Sequence, residues 1–185
     1  FYIEKDFAKA DWALDEANKR LDLLDRDEEP WLRQTGPTVR GYRSQIDGSV
    51  QPFGVYLPAD FDFKAESHPM YVWLHGRGDK TTDLHFIHER ATKAGQITPP
   101  GAIVLHPFGR QCVGWKHAGE IDVFEAMYAC HPAFDPDRVV LIGFSMGGAG
   151  AWHIGAHYAD EWAAVSPGAG FAETARYQNL APDKY

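Results

Sequence analysis

A chain of 185 residues has the size of one domain with room for a short appendage, and at that length about 70% of the unfolded surface can be buried. With 44% hydrophobic and 24% charged residues its composition is ordinary for a globular protein, and a net charge of −8 argues against nucleic-acid or anionic-membrane partners, which need clustered Lys and Arg. No apolar run approaches the ~18 residues of a membrane span.

The chain opens at Phe1, with no initiator Met and no visible targeting segment, so its cellular location stays open. Residues 2–26 read as an amphipathic helix. Phe7, Ala10, Leu14, Ala17, Leu21 and Leu24 recur at steps of three and four, and the acidic cluster Asp25, Asp27, Glu28, Glu29 before Pro30 ends the run. Residues 1–36 are therefore expected to be a helical flank without chemistry of its own, and residues 37–185 the main domain. TVRGYRSQI and VQPFGVYLP then alternate around Asp47-Gly48-Ser49, a strong hairpin signal. Pro52 is expected to place its strand at an edge or a bulge.

From residue 69 strands and helices alternate. MYVWLHG reads as a strand, 81–94 as a helix, AIVLHPFG as a strand and 119–130 as a helix. An Asp135-Pro136-Asp137 turn leads into the strand RVVLIGF, then a helix over 146–160 and a strand in WAAVSPGAG. The apolar runs are short, β-branched and continuous, as in a buried parallel sheet. This pattern predicts an α/β fold with a doubly wound, mostly parallel sheet. Function is then expected in the loops at the carboxyl ends of the strands, at 75–80, 106–118 and 143–148. Cys112 and Cys130 show neither metal spacing nor a CxxC pair and read as two isolated thiols.

Gly143-Phe144-Ser145-Met146-Gly147 matches G-x-S-x-G. Its weight comes from context, because Val139–Ile142 form a strand before it and Ala149, Ala151, Trp152 and Ile154 belong to a helix after it. A sharp turn there exposes the Ser145 hydroxyl at a helix N-terminus, where free N–H groups and the dipole favour negative charge. A serine in that place can also simply cap the helix; the glycines on both sides favour a nucleophile. An oxyanion hole needs two backbone donors aimed at one point. The Met146 N–H is one candidate. The Arg77 N–H, in the His75-Gly76-Arg77-Gly78 loop after MYVWL, is the other. The tripeptide Arg77-Gly78-Asp79 in that loop is read as coincidence.

The hairpin, the strand ending in LHG and the segment LIGFSMGG together resemble the α/β-hydrolase superfamily. The likeness covers roughly residues 38–171, and it is nearest to the esterase and prolyl-oligopeptidase-like branch with its feruloyl-esterase and polyhydroxyalkanoate-depolymerase relatives. The resemblance implies Ser145 as nucleophile, Met146 and Arg77 as oxyanion donors, and neither a metal nor an organic cofactor. The expected function is a serine carboxylesterase cleaving small-molecule or carbohydrate esters through an acyl-enzyme. The alternatives are a prolyl-oligopeptidase-like peptidase and a non-catalytic interaction module on the same scaffold.

In that superfamily the acid and then the histidine follow the serine along the chain. Here only His153 and His157 follow, and helical rise puts them ~12 and ~18 Å from Ser145. Asp160 and Asp183 follow no strand in the required place. The chain is accordingly expected to be the N-terminal part of a longer hydrolase, without acid or base, and to show little turnover and marginal stability alone. Among the upstream histidines, His75 and His106 lie near strand ends facing the site and, with Gly76, are expected to contact substrate. His75, in its LHG strand exit, is expected to support the loop rather than take a proton, and His106 can line the pocket. Phe108, Arg110, Trp115 and Lys116 can hold an aromatic or sugar ring, although Trp115 can equally pack its loop onto the sheet. Asp122 is expected only to help begin the helix after that loop.

Overall fold

Short β-branched runs must be paired along both edges, and the computed structural model, which describes residues 5–78, 82–177, 179 and 181, shows how this is met. The strands are β1 (Gly36–Arg43), β2 (Val50–Leu57), β3 (His68–Leu74), β4 (Ile103–Pro107), β5 (Phe134–Phe144) and β6 (Ala164–Gly168). They form one sheet in the order β1-β2-β4-β3-β5-β6. The hairpin β1-β2 is antiparallel and β2 adds antiparallel to β4, whereas β4, β3, β5 and β6 run parallel. Helices α1 (Phe7–Leu24), α2 (Asp83–Thr92), α3 (Ala118–Tyr128), α4 (Met146–His157) and the short α5 (Thr174–Tyr177) complete an α/β fold with helices on both sides of the sheet.

The core follows from strand position. β4 is buried at every residue, as a continuous apolar run demands, and Val72, Leu74 and Leu141 are fully buried alongside it. β3 alternates instead, with buried Met70, Val72 and Leu74 separated by half-buried Tyr71 and Trp73.

Three expectations need correction. Pro52 does not mark an edge or bulge, because β2 lies between β1 and β4. It is tolerated because the ladder to β4 runs from Phe53 to Tyr56, one residue beyond the proline. The Asp135-Pro136-Asp137 segment does not precede β5 but lies inside it. There the Asp137 N–H donates to Asp135 Oδ1 at 3.0 Å, and the register against β3 shifts between His68 and Met70. Asp122 is not a helix-start residue. It sits in the second turn of α3, 1% exposed, and is held by Arg110.

The N-terminal flank forms the expected helix but docks by an unexpected face. No residue of α1 is buried, and Phe7, Leu14 and Leu21 are 60%, 64% and 58% exposed. The opposite face makes the contacts. Trp12 meets His88 edge-on at 4.8 Å, Arg20 donates to the Val39 carbonyl at 2.7 Å, and the same guanidinium lies 5.2 Å from the Trp31 ring centre. Asp6 caps the first turn through the Lys9 N–H.

Candidate active site

The site begins where β5 runs straight into α4. Ser145 joins them with φ 57° and ψ −117°, a conformation that costs an L-residue of order 1–3 kcal/mol and persists only when neighbours enforce it. The neighbours are glycines for a steric reason. A Cβ on Gly143 would collide with the Gly147 carbonyl, and a Cβ on Gly147 with the carbonyl of Leu74 at the end of β3. The Ser145 N–H donates to the Gly168 carbonyl at 3.0 Å, tying the turn to the end of β6. The Ser145 side chain makes no capping hydrogen bond, so the hydroxyl does not serve the helix.

The exit of β3 lies against this turn. A Cβ on Gly76 would stand 3.3 Å from the Phe144 carbonyl and 3.5 Å from Ser145 Cβ. Ser145, Met146 and Arg77 border one cavity of about 710 Å³, a volume suited to a small ligand. Met146 is the first residue of α4, so its N–H is among those a helix leaves without a partner. Donors placed this way suit negative charge developing beside the hydroxyl.

The expected substrate-contacting residues lie mostly behind this wall. Trp115 is 1% exposed, its Nε1–H donates to the His75 carbonyl at 3.1 Å, and its ring fills the space beside Gly109 and Gly150. It packs the loop onto the sheet. His75 acts as a strut, with its ring nitrogens 2.9 Å from the carbonyl oxygens of Gly76 and Phe108. His106 is buried against Arg90, whose NH1 lies 3.3 Å from its Nδ1, in a separate cavity of about 50 Å³. Burial, then the charges of Arg90 and His75, hold its pKa well below the ordinary value, so its ring is neutral. Phe108 is buried, and Arg110 is spent on Asp122, Asp47 and Ser44. Lys116 does border the main cavity.

The rest of the wall comes from residues that the sequence reading left without a substrate role. Ala149, Trp152, His153 and Ala156 line it from α4, and Phe171 stacks on Tyr177 at 4.1 Å beside them. Spacing along α4 was the available signal, because steps of three and four from Ser145 reach each of those four residues. Cys112 also borders the cavity, half-exposed, while Cys130 is buried, and both thiols are free.

Among the described residues no histidine is hydrogen-bonded to Ser145. His153 instead meets Glu120 of α3, Nε2 to Oε2 at 2.6 Å, and Tyr158 donates its hydroxyl to the other Glu120 oxygen at 2.6 Å. Burial raises the Glu120 pKa, but these two hydrogen bonds and the histidine charges outweigh it and leave the carboxyl below its usual range. Asp160 lies in the exposed turn after α4, and Asp183 falls outside the described residues, as does Asp79 of the tripeptide.

No protein-family model matches the sequence, and no curated protein matches it. Solved structures do match the fold. A thermostable esterase aligns at TM-score 0.55 and 20% identity over 69% of this chain and 40% of its own length. An S-formylglutathione hydrolase from Staphylococcus aureus aligns at 0.52 and 17% over 80% of this chain and 62% of its own. A ferulic acid esterase aligns at 0.52 and 18% over 74% and 58%. The chain thus spans less than two thirds of the length of each. At such identities the likeness concerns architecture, and the chain has the α/β-hydrolase fold.

Proposed function

We propose that the protein is a serine hydrolase that cleaves carboxylic esters through an acyl-enzyme on Ser145. The observation that carries this reading is the serine itself: strained at φ 57°, free of any capping role, and opening onto the 710 Å³ cavity. His117 before α3 has a similar backbone, φ 54° and ψ −121°, so what singles out Ser145 is a hydroxyl with no capping role facing the cavity beside the Met146 N–H. Esterases and serine hydrolases among the structural neighbours support the reaction class.

In this reading Ser145 Oγ loses its proton and attacks the ester carbonyl. The tetrahedral oxyanion is held by the Met146 and Arg77 N–H groups. Collapse expels the alcohol and leaves the acyl group on Ser145, and water then releases the acid. The proton acceptor is none of His75, His106 and His153, which are each engaged elsewhere. Trp152 and the stacked Phe171–Tyr177 pair give the cavity an aromatic wall suited to an aromatic acyl group or a sugar ring.

The test starts from the coding DNA past the codon for Tyr185. The extended chain, treated with a fluorophosphonate, should carry the adduct on Ser145. The Ser145→Ala variant should lose both the adduct and the hydrolysis of p-nitrophenyl butyrate. An adduct on another residue, or a stop codon directly after Tyr185, would overturn the reading and favour a binding module.

A further inference from the structure

His153 and His157 line the Ser145 cavity, and Glu120 meets them at its edge. Each offers one ligand atom, and these atoms lie within 4.8 Å of one another. His153 and His157 are four residues apart on α4, a spacing that puts both imidazoles on one face, and their rings meet edge-to-face at 4.3 Å. Glu120 reaches them from the first turn of α3. We propose that these three side chains form a binding site for a divalent transition metal, zinc in the first instance.

The chemistry selects the ion. Two imidazoles and one carboxylate suit zinc, whereas calcium and magnesium prefer oxygen ligands throughout. Tetrahedral zinc bonds of about 2.0–2.2 Å set ligand atoms about 3.3 Å apart, so His157 must close in by up to about 1.5 Å, while His153 Nε2 and Glu120 Oε2, now 2.6 Å apart, exchange their hydrogen bond for the metal and separate slightly. His157 can supply that movement, because it is exposed and its ring is held by no hydrogen bond among the described residues. Tyr158 supplies the outer support. Its hydroxyl holds the Glu120 oxygen that His153 does not touch, which fixes the carboxylate in position to ligate.

Three protein ligands leave a fourth position open, as in zinc sites that keep a water or an exchangeable ligand. His153 and His157 both border the Ser145 cavity, so that position faces the same space. It lies ~12–18 Å along α4 from the nucleophile, too far to polarise a carbonyl there. An ion at that distance would bind an anionic group at the far end of a ligand and would pin α3 to α4. The sequence reading, which expects no metal, treats the two histidines only as bases out of reach of the hydroxyl; the carboxylate that completes the set comes from a different helix.

The experiment is titration of the untagged protein with Zn(II) alone, in competition with a chromophoric chelator, alongside thermal unfolding with and without the metal. One zinc should bind per chain and raise Tm. His157→Ala should weaken binding more than 10-fold and abolish the Tm rise while leaving the metal-free Tm unchanged, since the His157 side chain is exposed and makes no hydrogen bond among the described residues. Tyr158→Phe should weaken binding about 10-fold. Cys112→Ser and Ser145→Ala should bind as the wild type does, which keeps this result separate from the fate of the esterase reading. Failure to bind zinc, or a His157→Ala variant that binds it unchanged, would overturn the proposal.

Discussion

Replacing Arg110 with methionine isolates a buried charge. Arg110 Nε donates to both Asp122 oxygens, at 3.0 and 3.3 Å, while NH1 reaches Asp47 Oδ2 at 2.6 Å. The two arms are unequal, because the Asp122 side chain is 1% exposed and that of Asp47 is 46% exposed. Water screens the outer pair, which contributes little. Loss of the inner partner leaves a carboxylate in the interior without a cation, and breaking a buried pair from one side costs about 3–5 kcal/mol. Arg110 is itself 20% exposed, so water reaches its vacated place and the lower end applies. A loss of about 3 kcal/mol corresponds to a fall in Tm of about 6–12 °C for a chain of this length.

The pH dependence has a definite sign. Burial raises the Asp122 carboxyl above its ordinary range, and the hydrogen bond and charge of Arg110 work against that rise. A carboxyl whose folded pKa exceeds its unfolded value takes up a proton on folding between the two. The native state therefore gains stability as pH falls through the folded pKa. Arg110→Met lifts the folded pKa further, so the stability gap from wild type is largest at neutral pH and shrinks on acidification. Asp47 adds to the same trend at lower pH. Hydrogen bonds from Arg110 and Ser49 hold its carboxyl well below the usual range, and that contribution fades only as pH falls below its unfolded value of about 4. Urea unfolding at pH 7 and pH 4 measures the gap. Adding Asp122→Asn removes the stranded charge and should recover about 2 kcal/mol of the loss. A loss below about 1 kcal/mol at pH 7, or a gap that widens on acidification, would refute the assignment of Arg110 as the counter-ion.

Other changes probe the turn, the packing and the thiols. Ser145→Gly should raise stability by about 1 kcal/mol by releasing backbone strain, whereas Ser145→Ala, which keeps its Cβ, should not; equal Tm values for the two would deny the strain. Trp115→Ala should cost about 3–5 kcal/mol in urea unfolding, the mark of an emptied core position, and a near-neutral result would return Trp115 to the pocket wall. Iodoacetamide should modify half-exposed Cys112 in the native protein and reach Cys130 only after unfolding, because burial pushes the Cys130 thiol up to about 12. Peptide mapping that found Cys130 labelled first would contradict that burial.

What could be read from the sequence was whatever short-range chemistry determines. The G-x-S-x-G turn was legible because strand, turn and helix follow one another within a few residues, and each glycine answers a local collision. The β1-β2 hairpin was legible for the same reason. The docking of α1 was not. Its apolar stripe is enough to identify a helix, but the face that touches the domain was chosen by Trp31, Val39 and His88, which the pattern of residues 2–26 cannot contain. The loop after β4 failed similarly. Its aromatic and cationic residues suggested a binding surface, yet Trp115 turned inward to fill the space that Gly109 and Gly150 leave open, and Arg110 turned to the hairpin.

The helix α4 shows why local and long-range information meet at the site. Its first turn carries the N–H groups beside Ser145, and a local motif is enough to find them. Farther along, Ala149, Trp152, His153 and Ala156 line the cavity, and plain helical spacing would have found them once the serine was assigned. The last turn adds His157 and is followed by Tyr158, and their roles depend on Glu120, which reaches them from α3 across the tertiary fold. The nucleophile's turn, one side of the cavity wall and both histidines of the Glu120 cluster thus lie along α4, so a change that tilts α4 should disturb all three together. Gly150 is where that coupling can be tested. A Cβ there would press on the Trp115 side chain, so Gly150→Ala should slow the acylation of Ser145 and weaken zinc binding in the same variant. Loss of one function with the other intact would mean that the two ends of the helix move independently.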